Sequence, residues 1–282
     1  MNSAEAELAP PMAPGTRPVP GYQVLGHLTR TSWLDVYDSW SEERDCRCVL
    51  KTLRPDRRGD TRLHDRLLRE GRWLRDFSHP HLVRAYETFS LPEPLVVLET
   101  LTGETLAHMI HRLRRRPSAA DVALLGVQLC SAVHYLHAQG LLHLDLKPSN
   151  VVVERGHAKV FDLSVARPPG PAPAGLGTRC YRAPEQEHVG ELSTPADVWG
   201  IGITLYEVAA GDVTFVRAGA GESAVERCEV PPIASRRRLP RALAAAIDGC
   251  LRADPSARLT LPELAGALGA TPPGEGPRTA RA

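Results

Sequence analysis

The sequence has no surplus of either charge: 34 Lys and Arg face 33 Asp and Glu. That balance gives no footing for nucleic acid or an anionic membrane as the main partner, because both select a strong basic excess. The runs HRLRRRP and SRRRLP are read as solvated faces or loops, with a binding role as the lesser alternative. No CxxC pair occurs among the six cysteines, at 46, 48, 130, 180, 228 and 250, and their density is far from that of a disulfide scaffold. Free thiols in a reducing compartment are expected. No run reaches the roughly 18 apolar residues of a membrane span. The opening MNSAEAELAPPMAPGTRPVP lacks the basic start and apolar stretch of a secretory leader. A soluble, cytoplasmic protein without a membrane partner is the expectation. There is no internal repeat. Residues 1–20 and 269–282 lack hydrophobic periodicity and are rich in Pro, Ala and Gly, which predicts flexible tails.

What is present suits a packed protein. With 43% hydrophobic residues in 282, the chain can bury a full core in one large domain or two modest lobes. The first part reads as short strands: YQVLGHL, WLDVYDS, CRCVLKT, then LVRAYET and LVVLE after an intervening helix. From about residue 105 the apolar spacing turns helical, apart from two short strands near 150 to 161.

The intervening helix, TRLHDRLLREGRWLRDF, aligns Leu63, Leu67, Leu74 and Phe77 on one face, and Glu70 falls on the same stripe. A carboxylate among apolar side chains is costly unless paired, so the helix asks for a basic partner. Lys51, closing the strand CVLK, is the candidate; the alternative is that Glu70 edges the stripe and reaches solvent. In DVALLGVQLCSAVHYLHAQG, apolar residues recur from Val122 to Leu136, with Gly140 as the stop. His134 and His137 lie one turn apart there and are read as structural histidines, since no acidic or thiol ligand accompanies them.

NVVVE, RGHA and KVFD read as a β-hairpin. Asn150 enters its first strand and Asp162 leaves its second, so antiparallel pairing alone brings an amide oxygen and a carboxylate together, a hard-oxygen pair suited to Mg²⁺. Asp145, just upstream, can take a proton from a hydroxyl, and Lys147 can neutralise charge on a transferring phosphoryl group. Lys51, held by Glu70, would anchor a triphosphate, with the site in the cleft between two lobes.

These residues resemble the eukaryotic-like (Hanks-type) protein kinase family over about residues 20 to 268. HLDLKPSN resembles its catalytic loop, FDLS its metal-binding D-F-G, CVLK its V-A-I-K, and GTRCYRAPEQ its G-T-x-x-Y-x-A-P-E. The resemblance implies an α+β, bilobal kinase-like fold over 21–268. It would have an antiparallel-sheet N-lobe with one main helix (about 21–99) and a larger helical C-lobe (about 102–268). It implies ATP and Mg²⁺, with Mn²⁺ as alternative metal, and a protein hydroxyl as acceptor. Asp145 would be the base, Lys147 its support, and Asn150 and Asp162 the metal ligands. Lys51, Glu70 and Val36 would serve the nucleotide, with the backbone of Glu99 and Leu101 facing adenine and Leu98 as gatekeeper. Glu185 would pair with Arg258, and Asp197, Trp199 and Gly202 would lie on a buried helix. Lys147 and Thr178 resemble the serine/threonine branch.

Three departures stand out. Where the family's nucleotide loop has glycines, TRTSWLDV has Thr29, Thr31 and Leu34, which predicts a weaker or differently shaped phosphate cradle. Leu144 replaces the arginine of H-R-D and Ser164 the glycine of D-F-G. The loop VARPPGPAPAGLG carries no Ser, Thr or Tyr, so phosphorylation there is not the expected switch. Cys180 is read as an ordinary loop cysteine, a redox thiol being the alternative. Two other functions stay open: a pseudokinase that binds and regulates a partner, favoured by the lost glycines, and a small-molecule phosphotransferase. The substrate, the regulator and the oligomeric state are not encoded in any motif.

Overall fold

The computed structural model describes residues 9–113, 115–213 and 230–270. Their contacts divide the chain into two units, one through Ser78 together with Leu82–Leu101, the other His79–His81 together with Thr102 onward.

The first unit is a five-stranded antiparallel sheet in the order β1-β2-β3-β5-β4, made of β1 (Tyr22–Arg30), β2 (Leu34–Ser41), β3 (Cys46–Leu53), β4 (Ala85–Phe89) and β5 (Leu95–Glu99). Alternation along the strands sorts side chains between the two faces. Tyr22, Val24, Tyr37, Cys48, Leu50 and Val97 form one buried cluster. The helix α1 (Thr61–Asp76) packs on β3, β4 and β5 through Leu67, Glu70, Gly71 and Leu74. Gly71 is what lets it approach: a Cβ there would fall 2.4 Å from Thr88 Cγ2 and 2.6 Å from Val96 Cγ2. Asp60 caps the helix through the amides of Arg62 and Leu63.

The proline-rich start differs from the flexible tail that its composition predicts. Residues 1–8 lie outside the described residues, but Val19 is buried in the sheet's core and Met12 packs against it. The Met12 amide donates to the Tyr37 hydroxyl at 3.0 Å, and Gly15 N–H to the Val24 carbonyl at 2.8 Å. A few specific long-range bonds hold a segment that has no period of its own. At the other end a helix runs to Gly269, so the tail predicted over 269–282 overlaps it at its first residue; residues 271–282 lie outside the described residues.

The second unit is mainly helical: α2 (Leu106–Arg112), α3 (Ala119–Ala138), α4 (Pro195–Ala210), α5 (Arg241–Cys250) and α6 (Leu261–Gly269). A small sheet joins β6 (Glu104–Thr105), β7 (Val151–Glu154) and β8 (His157–Val160), and β9 (Gly170–Ala172) pairs with β10 (Gly190–Leu192). Helix α3 is capped by a Ser118/Asp121 box and stops before Gly140, whose φ of +73° closes the turn. It is long and apolar enough to cross a membrane, yet ten of its residues are buried within this unit, packed on α4, α6 and β8. Every residue of α4 after Pro195 is buried. Among the described residues the cysteines at 46, 48, 130, 180 and 250 are free thiols; Cys228 lies outside them.

Candidate active site

In the first unit, β3 sends Leu50 into the sheet's apolar cluster and therefore Lys51 to the α1 side. There Lys51 Nζ donates to Glu70 Oε1 at 2.8 Å, with Lys51 7% and Glu70 1% exposed. The pairing inferred from the misplaced carboxylate is thus present. Val36 stands directly across from Lys51 in the β2–β3 register and is half-buried. Leu98 is buried. Glu99 is tied to Arg84 twice: its N–H donates to the Arg84 carbonyl at 2.9 Å and its Oε1 accepts the Arg84 N–H at 2.9 Å. Leu101 follows, half-buried, just beyond the strand.

In the second unit, the loop from His143 to Asn150 is shaped by a residue whose role the motif reading left blank. Asp197, 1% exposed in the first turn of α4, accepts the His143 N–H at 2.8 Å (Oδ2) and the Leu144 N–H at 2.7 Å (Oδ1). Its Oδ2 also contacts His137 Nε2 at 2.8 Å. These bonds hold Leu144 at φ +63°, a conformation costly for a branched residue. The signal was available: a lone carboxylate in the otherwise apolar DVWGIG invites the question already asked of Glu70. His137 is structural, as expected, and bonds Asp197. Leu144 itself is buried, so this position holds no surface cation for a phosphorylated loop.

The loop delivers Asp145, 8% exposed, into a ring of donors. Its Oδ1 accepts the Thr178 N–H at 2.7 Å, and its Oδ2 accepts Lys147 Nζ at 2.7 Å and Asn150 Nδ2 at 3.2 Å. Lys147 Nζ also reaches Thr178 Oγ1 at 2.5 Å. The Asp145 N–H donates to His143 Nδ1 at 3.2 Å, and burial pushes the His143 imidazole below its ordinary pKa, which keeps it neutral and able to accept. Asn150 Nδ2 also donates to the Asp145 carbonyl at 2.9 Å. With its amide nitrogen committed twice, Asn150 keeps its oxygen for another partner.

The hairpin prediction holds in its register. Val151 pairs with Val160, and the Phe161 N–H donates to the Asn150 carbonyl at 3.0 Å, so Asn150 and the segment that carries Asp162 are fastened together. Asp162 sits at φ +70°, and its Oδ1 accepts the Ser164 N–H at 3.2 Å. An amide oxygen with a carboxylate one hairpin end apart is a donor set that fits a hard divalent cation.

The segment after Asp162 follows a fixed path. Leu142 and Arg167 exchange backbone bonds of 2.8 and 3.1 Å, and β9 pairs with β10. Gly177 passes so close that a Cβ there would sit 2.4 Å from the Leu144 carbonyl oxygen, and its φ is +82°. Gln186, a residue the motif reading did not single out, donates to the carbonyls of Leu144 (2.9 Å) and Leu176 (3.1 Å) and so ties this segment to the loop bearing Asp145. The Tyr181 hydroxyl donates to Glu207 Oε2 at 2.8 Å, while Cys180 is half-buried beside it.

Arg258 clamps the end of this segment. It holds Glu185 with two bonds of 2.6 and 2.7 Å and donates its other three hydrogens to the carbonyls of Arg252, Pro195 and Ala253. All five guanidinium donors are therefore used, and the plane lies over Trp199 at 5.1 Å. Arg258→Ala should cost about 3–5 kcal/mol by stranding that ion pair's partner and three carbonyls. Arg258→Lys should recover little, because an ammonium cannot reproduce the fork. Chemical denaturation of the two variants checks this; a lysine variant as stable as wild type would contradict it.

Comparison with known proteins adds to this geometry. A family model described as the protein kinase domain matches residues 22–267. The chain is similar to the serine/threonine-protein kinase PknB of Mycobacterium leprae, 28% identical over 67% of this chain and 32% of that one. It is also similar to a probable serine/threonine-protein kinase, SCO3848, of Streptomyces coelicolor, 29% identical over 69% of this chain and 31% of that one. The chain thus matches about a third of the length of these curated relatives. In fold it is similar to the crystal structure of the PknI kinase domain of Mycobacterium tuberculosis, with a TM-score of 0.72 at 21% identity, covering 92% of this chain and 98% of that one.

Proposed function

The chain belongs to the protein kinase domain family, and from that premise we propose that it transfers the γ-phosphate of ATP to a serine or threonine hydroxyl of a protein. The observation that carries this reading is the convergence on Asp145 of the Lys147 ammonium, the Asn150 amide and the Thr178 N–H. Oδ2 is filled by two donors, whereas Oδ1 accepts only one and keeps a lone pair for the incoming proton. The acceptor hydroxyl attacks the γ-phosphorus, its proton passes to Asp145 Oδ1, and the bond to the leaving oxygen breaks with its electrons going to ADP. Lys147 neutralises charge on the transferring group. Its bond to Thr178 ties that charge to the segment where a serine or threonine substrate would lie.

Mg²⁺, or Mn²⁺ in its place, supplies Lewis-acid neutralisation of the phosphate oxygens when bound, and Asn150 and Asp162 are the residues that would hold it. In the first unit, Lys51 supplies a fixed positive charge to the nucleotide's phosphates, held ready by Glu70. Val36, with the backbone of Glu99 and Leu101, flanks the adenine. A cytoplasmic location accords with the free thiols.

The test is the metal dependence of nucleotide binding. Mg²⁺ should tighten ATP binding to the wild type, measured by calorimetry, and Asp162→Asn should lose that gain while still binding adenosine. An Asp162→Asn protein with an undiminished Mg²⁺ effect would remove Asp162 from the metal.

A further inference from the structure

We propose that the groove between α2, α3 and the β7–β8 hairpin, with the arginines beside it, is a docking surface for a segment of a partner protein that is acidic and carries large apolar side chains at helical spacing. The proposal lies outside the kinase reading and does not rest on it. The basic runs HRLRRRP and SRRRLP, each a solvated stretch when read alone, meet in the fold. Arg116 from the first and Arg237 from the second both donate to the Ala209 carbonyl, at the C-terminal end of α4, at 3.5 and 3.2 Å. Arg237 also donates to the Pro117 carbonyl at 2.7 Å, so two stretches 120 residues apart are tied into one surface.

The charge of this surface is not compensated. Burial, and then the neighbouring Arg116, hold the Arg237 guanidinium below its ordinary pKa. The acids nearby are already engaged: Glu104 with Arg112 at 2.5 Å, Asp212 with Arg236 at 2.6 Å, and Asp121 in the cap of α3. The exposed pair Glu154 and Arg155 in the β7–β8 turn cancels. Among the described residues Arg115, Arg116, Arg237 and Arg238 have no carboxylate partner, and all but Arg237 are exposed. Such a patch selects an anionic partner.

The apolar part of the surface adjoins it directly. Pro117, whose carbonyl Arg237 holds, lines a cavity of about 270 Å³, and so does Val208, beside Ala209. Met109 from α2, Leu125 from α3 and Val153 from β7 line it as well. Its volume falls just below the roughly 300–1,000 Å³ of small-molecule pockets, which suits apolar side chains better than a whole ligand. Leu113 and Leu124, 37% and 51% exposed, belong to the same lining and carry the apolar surface out to solvent. A pocket with an apolar strip beside it fits the successive anchors of an amphipathic helix. A flat anionic membrane would meet the arginines and leave the cavity empty. Nucleic acid would ask for aromatic side chains on which bases stack, and the described lining has none.

The test is fluorescence anisotropy of a labelled helical peptide, rich in glutamate with leucines at i, i+3, i+4 and i+7, titrated with the full chain. Wild type should bind it, and more weakly as salt rises. Replacing the peptide's leucines with alanine, or its glutamates with lysine, should abolish binding. Arg116→Glu and Leu124→Ser alter exposed side chains and should each weaken binding about ten-fold, with a shallower salt dependence in the first alone. Asp145→Ala should bind the peptide as wild type does, because the surface is separate from the base. The proposal is overturned if wild type does not bind the peptide, if the lysine peptide binds equally well, or if Arg116→Glu or Leu124→Ser is silent. Loss of binding in Asp145→Ala would move the peptide to the active site and overturn it too. A wild type that sediments with phosphatidylglycerol vesicles and ignores the peptide would assign the patch to a membrane, again against the proposal.

Discussion

Asp145→Ala should lower phosphoryl transfer by roughly three orders of magnitude, within the range a positioned general base contributes, while the Kd for Mg·ATP stays near that of the wild type. The side chain removed accepts three hydrogen bonds, from Thr178 N–H, Lys147 Nζ and Asn150 Nδ2. Lys147 is partly exposed and can turn to water, so the structural cost is limited to the stranded amides, about 1–3 kcal/mol. A thousand-fold rate loss corresponds to about 4 kcal/mol in the barrier. The two readouts separate the roles. Steady-state kinetics should show kcat falling with little change in KM for ATP, and melting should show a folded protein. A variant that keeps a tenth or more of wild-type kcat would remove Asp145 from the role of base.

Lys51→Met should lose both transfer and stability, and a second substitution should return only the stability. Methionine fills the space of the lysine stem but leaves the Glu70 carboxylate, 1% exposed, without its 2.8 Å ammonium partner. Removing one member of a buried pair costs about 3–5 kcal/mol. Lys51→Met with Glu70→Gln replaces both charges with neutral groups of similar volume, so the melting temperature should return most of the way towards wild type. Transfer should not return, because a neutral side chain supplies no charge to the phosphates. If the double variant regains wild-type rates, the pair serves only the packing of α1 on the sheet.

The parts of this protein that could be read from its sequence are those where one local rule is broken and has a single repair. Glu70 on an apolar stripe demanded a cation, and Lys51 was the one at the end of a neighbouring strand. Asn150 and Asp162 flank a hairpin, and pairing alone draws their segments together. The helix around Trp199 is apolar on most sides and had to be buried.

What escaped reading depends on partners distant in sequence. Nothing periodic in APPMAPGTRPVP foretells that Met12 donates to Tyr37 or that Val19 enters the core, because proline-rich composition reports only the lack of a regular element. The role of Asp197 lies in two backbone amides more than fifty residues away. The missing glycines pointed to a weaker or reshaped cradle, and the sequence could not choose. In the structure the turn is closed without glycine: the Thr31 hydroxyl accepts the Leu34 N–H at 3.0 Å, and Arg54 binds the carbonyls of Thr31 and Ser32.

The most direct test of the central claim is transfer of labelled γ-phosphate from Mg·ATP, by the full chain, to itself and to a generic basic protein, run beside Asp145→Ala. The account predicts label on serine or threonine that disappears in the variant. Equal labelling in both proteins, or none in the wild type at saturating ATP with either Mg²⁺ or Mn²⁺, would contradict it.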